Sequence, residues 1–168
     1  MKILFLDHDG VICLRPQWGK RNSKKSIKNG DIFDPFCPKA IKVLNEIIEK
    51  TDCEIIVSSD WRIHKDLEYM KNVYHSREII KTPIGYTDIL DVSADMTSEF
   101  GAGPLMLARL REKEINQWLD NHIGVEQWVA VDDLKMDKLK RFVHTPLADE
   151  GIKQIGIKEK IINLLTYS

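Results

Sequence analysis

The sequence has 168 residues, 43% hydrophobic and 30% charged, with a net charge of −1. This is an ordinary globular balance and enough chain for one buried core, so a single domain over 1–168 is expected. It excludes a global field that would draw the chain to nucleic acid or to an anionic membrane, and leaves only a local basic patch open.

Three cysteines, Cys13, Cys37 and Cys53, form no CxxC pair. They read as free thiols in a reducing compartment and speak against a zinc site. The leading apolar run is too short for a secretion signal, and no stretch reaches the length of a membrane span. A cytoplasmic protein with no membrane partner is the expectation.

Residues 2–6, KILFL, are apolar without alternation, which predicts a strand buried on both faces of a parallel sheet. The strand runs into Asp7 and Asp9 and turns at once on Gly10. Residues 14–31 carry Arg15, Lys20, Arg21, Lys24, Lys25 and Lys28 with little apolar content and read as a basic loop. Trp18 within that loop is a candidate for stacking on a base. Pro38 opens a helix whose apolar side is Ala40, Ile41, Leu44, Ile47 and Ile48.

CEIIVSSD (53–60) predicts a second buried strand, ending in hydroxyls. A helix is expected from about Arg62, with Ile63, Leu67, Met70 and Tyr74 on one side. A short strand is expected at 78–80, and 81–104 reads as a surface loop or flap rich in turn residues. Residues 105–122 return to helix, with Leu110, Ile115, Trp118 and Leu119 inward. VEQWVAVDD (125–133) is a third strong strand running into two acids, RFVHT suggests an edge strand, and IKEKIINLL an amphipathic helix.

This order predicts an α/β fold: an open, mostly parallel sheet wrapped by helices. Ligands of such sheets bind beyond the carboxyl ends of the strands. All three strong strands put polar groups there: Asp7 and Asp9, Ser58 and Ser59, Asp132 and Asp133. Carboxylates gathered at one sheet edge repel each other and resist burial. A hard divalent cation relieves both, and Mg²⁺ prefers carboxylate oxygen. One carboxylate is then free to attack phosphorus, a second can move protons, and hydroxyls and backbone N–H groups can hold phosphoryl oxygens.

FLDHDGVI resembles the first motif of the haloacid dehalogenase (HAD) superfamily, EIIVSS its second and VAVDD its fourth, in the right order. SSDWR, REKEINQWL and RFVHTPLADEGI are similar to the small HAD domains grouped with RNA-repair proteins. The resemblance implies a HAD-like Rossmannoid domain. The cap that usually closes such sites is minimal or absent, because the gap between the first two motifs leaves room only for the basic 14–31 loop and a helix. The resemblance also implies a Mg²⁺-dependent phosphomonoester hydrolase working through an aspartyl-phosphate.

In that pattern Asp7 is the nucleophile and a metal ligand. Asp9 is the general acid/base, with its backbone carbonyl on the metal. Asp133 is a direct metal ligand and Asp132 stands behind it. Ser58 is the phosphate hydroxyl, with Ser59, Arg62 and the Gly10 turn as further phosphate-binding candidates. Arg111 fits the basic third motif, with Arg109 and Lys113 as rivals.

His8 departs from the pattern, where an apolar residue is commoner between the two acids. It is read either as serving the substrate side or as filling space. A phosphorylated substrate follows, with a nucleotide or nucleic-acid end left open. The alternatives are a Mg²⁺- and phosphate-binding module without turnover, or a small-molecule phosphatase. Phosphotransfer and the oligomeric state stay open.

Overall fold

A computed structural model describes residues 1–18, 36–91 and 103–167. Five strands make one sheet: β1 (Lys2–Leu6), β2 (Glu54–Val57), β3 (Gly85–Tyr86), β4 (Gln127–Asp132) and β5 (Phe142–His144). Their order is β3-β2-β1-β4-β5, and every pairing is parallel. Phe5 sits in register with both Ile56 and Ala130, so β1 is the central strand.

The chain steps outward from β1 to β2 and β3, then returns across β1 to build β4 and β5. The reversal lies between β1 and β4. In open α/β sheets such a switch point leaves a crevice at the strands' carboxyl ends. Asp7 and Asp9 follow β1, and Asp132 and Asp133 close β4.

Helices α1 (Arg15–Trp18), α2 (Pro38–Thr51), α3 (Leu67–Ser76), α4 (Pro104–Asn121) and α5 (Ile157–Thr166) complete the fold. Side chains alternate across β1 because successive residues of a strand point to opposite faces. Leu4 and Leu6 join Leu44, Ile47, Met70, Ile161 and Leu165 in the core under α2, α3 and α5. Ile3 and Phe5 join Ala108, Ile115 and Trp118 under α4. Burial on both sides is why the strands read as unbroken apolar runs. Among the described residues, no helix is long and apolar enough to cross a membrane.

Three elements differ from the expectations. Residues 78–80 are not a strand: Glu78 takes a positive φ of 59°, and Asn45 fastens the turn through Glu78 O at 2.8 Å and Ile80 N at 3.1 Å. The edge strand forms instead at Gly85–Tyr86, too short to leave a pattern. The helix expected from Arg62 starts at Leu67, where the Asp66 carboxylate accepts from Tyr69 N at 2.7 Å. Asp60–Ile63 is a separate 3-10 turn, with Ile63 exposed rather than inward. Most of the basic 14–31 loop, and residues 92–102 of the expected flap, lie outside the described residues.

Candidate active site

The sheet's own hydrogen bonds continue past the strand ends and set the site. Asp7 N donates to Val131 O at 3.1 Å, and Ser58 N donates to Leu6 O at 2.9 Å. Asp7 is thereby held between the Ser58 turn on one side and Asp132 on the other. A tight turn follows: the carbonyl of His8 accepts from Val11, Ile12 and Cys13 N–H at 3.2, 3.0 and 2.7 Å. Gly10 makes the turn possible. Its φ is +71°, and a Cβ there would overlap the Asp133 carboxylate, with the Asp133 Cβ 2.7 Å away. Within the turn the Gly10 N–H donates to Cys13 O at 2.9 Å, and its carbonyl accepts from Thr145 Oγ1 at 3.2 Å.

Carboxylate oxygens of Asp7, Asp132 and Asp133 all lie within 4.8 Å of one another. Asp7 and Asp132 are buried, at 5% and 1% exposure. Burial raises the Asp7 pKa well above its usual value, and the Asp132 and Asp133 charges raise it further. Arg111 and the Ser59 hydroxyl offset only part of this. Asp132 is pushed up to about 7, mainly by burial and against the pull of Arg111. Burial and then the Asp9 charge also raise Asp133.

The counter-charge is Arg111, from the middle of α4 and 5% exposed. Its Nη1 donates to Asp132 Oδ2 at 2.9 Å, to the Ser58 carbonyl, and at 3.4 Å to Asp7 Oδ1. Its Nη2 donates to Asp60 Oδ1 at 2.7 Å, and Glu114 Oε2 lies 3.8 Å from Nε. Burial opposes this charge, but the surrounding Asp132, Asp7, Asp60 and Glu114 outweigh it and raise the Arg111 pKa. The rivals stand elsewhere: Arg109 pairs with Glu112 and Asp137 at 2.7 and 2.6 Å, and Lys113 is exposed.

Asp9 is half-buried and accepts from Trp61 Nε1 at 3.2 Å. His8 points into the core, fully buried, with Nε2 2.7 Å from the Tyr74 hydroxyl. It packs against Phe36 and Trp61, so of its two readings the structure favours filling space. Ser58 and Ser59 are buried at 2% and 1%. The Ser58 hydroxyl makes no hydrogen bond among the described residues, an unmet buried donor beside the carboxylates.

Arg62 does not face the cluster. Its Nη1 donates to Ser59 O at 2.8 Å, and its Nη2 pairs with Glu114. Glu114 in turn accepts from Leu90 N at 3.2 Å. The sequence reading gives no site role to Asp60, Trp61, Glu114 or His144, whose Nε2 donates to Asp133 O at 2.9 Å. Only Glu114 left a trace: it stands three residues after Arg111, a spacing that equally describes a solvated surface pair.

A sequence profile of the HAD domain in Swiss Army Knife RNA repair proteins matches residues 3–154. The chain belongs to this HAD domain family. No curated protein and no solved structure gave a significant match. Membership in a HAD domain family points to a HAD-type hydrolase of the phosphoryl-transfer class.

The donor set of this HAD domain suits a hard cation: three carboxylates converge with one guanidinium against them. Both Asp132 oxygens are engaged, Oδ2 by Arg111 and Oδ1 by Leu134 N at 2.8 Å. An ion here would take Asp7 and Asp133 as its direct donors, with Asp132 behind them.

Proposed function

We propose that this HAD domain hydrolyses phosphomonoesters with Mg²⁺ through an aspartyl-phosphate on Asp7. The observation that carries the reading is the convergence of Asp7, Asp132 and Asp133 within 4.8 Å, beside Arg111 and an unpartnered Ser58 hydroxyl. Asp7, Asp133 and the Asp9 backbone would hold Mg²⁺, which when bound neutralises charge on the phosphoryl group and the carboxylates.

An Asp7 oxygen attacks phosphorus in line, and the bond to the ester oxygen breaks. The Asp9 carboxyl gives its proton to the departing oxygen, so the alcohol leaves neutral. Water then attacks the aspartyl-phosphate. Asp9 takes its proton, the bond from phosphorus to Asp7 breaks, and inorganic phosphate is released. Arg111, with the Ser58 and Ser59 hydroxyls, would hold the phosphoryl oxygens in both steps. Trp61 holds one Asp9 oxygen at 3.2 Å, which supports a fixed orientation of the acid toward the leaving oxygen.

The family's association with RNA repair favours a phosphate on a nucleotide or a nucleic-acid end as the substrate. The test is Asp7→Asn assayed with Mg²⁺ on aryl phosphates and on 3′- and 5′-phosphorylated oligonucleotides. The variant is expected to lose turnover by ~10⁴-fold or more, since the residues of a covalent site act as a unit. A wild-type chain that binds Mg²⁺, stays folded and turns over none of these esters sinks the proposal.

A further inference from the structure

Next to the carboxylate cluster lies a cleft of about 300 Å³ that the mechanism leaves unused. Its apolar walls include Ile63 after the Ser58 turn, Ile89 before residue 90, and Leu107 on α4. These three side chains are 51%, 53% and 40% exposed, so the apolar surface is open rather than part of the core. Asp60 and Asp91 add acidic groups to the lining, and the Asp60 side chain is 65% exposed.

The cleft joins the site through one side chain. Arg111 lines it and donates through Nη2 to Asp60, while its Nη1 reaches Asp7 Oδ1 at 3.4 Å. A phosphoryl group held by Asp7 and Arg111 would therefore share the Arg111 guanidinium with the cleft. The wall is also braced: Leu90 N donates at 3.2 Å to Glu114, the same carboxylate that pairs with Arg62 and faces Arg111.

Building on the phosphomonoesterase reading, we infer that this cleft seats the alcohol part of the ester and selects an uncharged, flat group bearing hydrogen-bond donors. The volume sits at the low end for ligand pockets and takes one ring-sized group. Ile63, Ile89 and Leu107 cover the faces of such a group. Asp60 and Asp91 accept from hydroxyl or amide donors at its edge, and repel a second anion on the same ring. A like charge facing these two acids is disfavoured because, among the described residues, no cation other than the already engaged Arg111 and Arg62 lines the cleft.

The experiment compares 4-carbamoylphenyl phosphate with 4-carboxyphenyl phosphate, near-isosteric esters that differ in a neutral donor against an anion. Methyl phosphate serves as an ester too small to fill the cleft. The wild-type chain is expected to show a KM for the carbamoyl ester at least ~10-fold below that for the carboxy ester, a ratio of about 1.4 kcal/mol. Asp91→Asn is expected to shrink the ratio, and Leu107→Glu to raise KM for the carbamoyl ester.

Calorimetry of both esters on Asp7→Asn, which binds without turnover, should give the same preference in Kd. Equal KM and equal Kd for the two esters overturn the cleft assignment while leaving the hydrolase reading intact. A retained Kd preference without turnover of any ester, methyl phosphate included, supports the cleft and overturns the hydrolase reading.

Discussion

At Gly10 the backbone sits at φ +71° with the Asp133 carboxylate against its Cα. Any larger residue must adopt a left-handed conformation and push Asp133 aside. Gly10→Ala is expected to destabilise the fold by ~2 kcal/mol or more, from backbone strain and from the overlap. It should weaken Mg²⁺ binding as well, because Asp133 would be one of the two direct donors in the proposed site. Chemical denaturation and Mg²⁺ calorimetry check the two effects separately. Lost stability with Mg²⁺ affinity intact would remove Asp133 from the metal. The placement of Asp7, Asp9 and Gly10 in a turn at the end of β1 was legible in the sequence because the apolar run stops there abruptly in acids and glycine. Trp61 was not, since an aromatic residue beside a buried strand looks the same whether it packs or donates to Asp9 at 3.2 Å.

At the scale of elements, α4 and the turn after β2 are joined by a buried ion pair. Arg62 holds the Ser59 carbonyl and Glu114, while Glu114 faces Arg111 and holds Leu90 N. Burial lowers the Arg62 pKa, and Glu114 counters this. Removing one partner leaves a buried charge unmatched, so Arg62→Met is expected to cost ~3 kcal/mol or more. Glu114→Leu added to it should cost less than the two single changes summed. Urea midpoints of the two singles and the double variant measure this coupling, and strict additivity would mean that the pair carries nothing. The strong strands and α2, α4 and α5 were readable from their apolar patterns. The two-residue β3 and the late start of α3 were not, because a strand of that length has no period and the Asp66 cap outcompetes the apolar run before it. The Arg62–Glu114 pair was hidden for another reason: its partners are 52 residues apart, and only the fold brings them together.

Over the described residues, three acids with raised pKa values gather at one end of the sheet. Asp7, Asp132 and Asp133 share Arg111, and burial keeps all three carboxyl pKa values above their ordinary value of 3.8. Without metal, the folded chain therefore holds protons that the unfolded chain has already released between about pH 4 and about pH 7. Where the native state binds more protons, stability falls as pH rises. This contribution is largest below pH 3.8 and declines toward the Asp132 value of about 7. Mg²⁺ held as proposed would reverse the sign at the same residues, since it would bind only the ionised carboxylates and displace their protons. Its stabilising effect should be small near pH 5 and grow toward pH 8. With free Mg²⁺ at 100 times its Kd it amounts to about 2.7 kcal/mol, or roughly 5–10 °C in Tm for a chain of this size. Thermal melts in EDTA and in Mg²⁺ across this range measure the difference directly. Asp133→Asn should flatten it by removing a donor, whereas Asp120→Asn, on an exposed residue of α4, should leave it unchanged. A Mg²⁺ increment that is the same at every pH, or that survives Asp133→Asn, would mean that the ion is not held by these carboxylates.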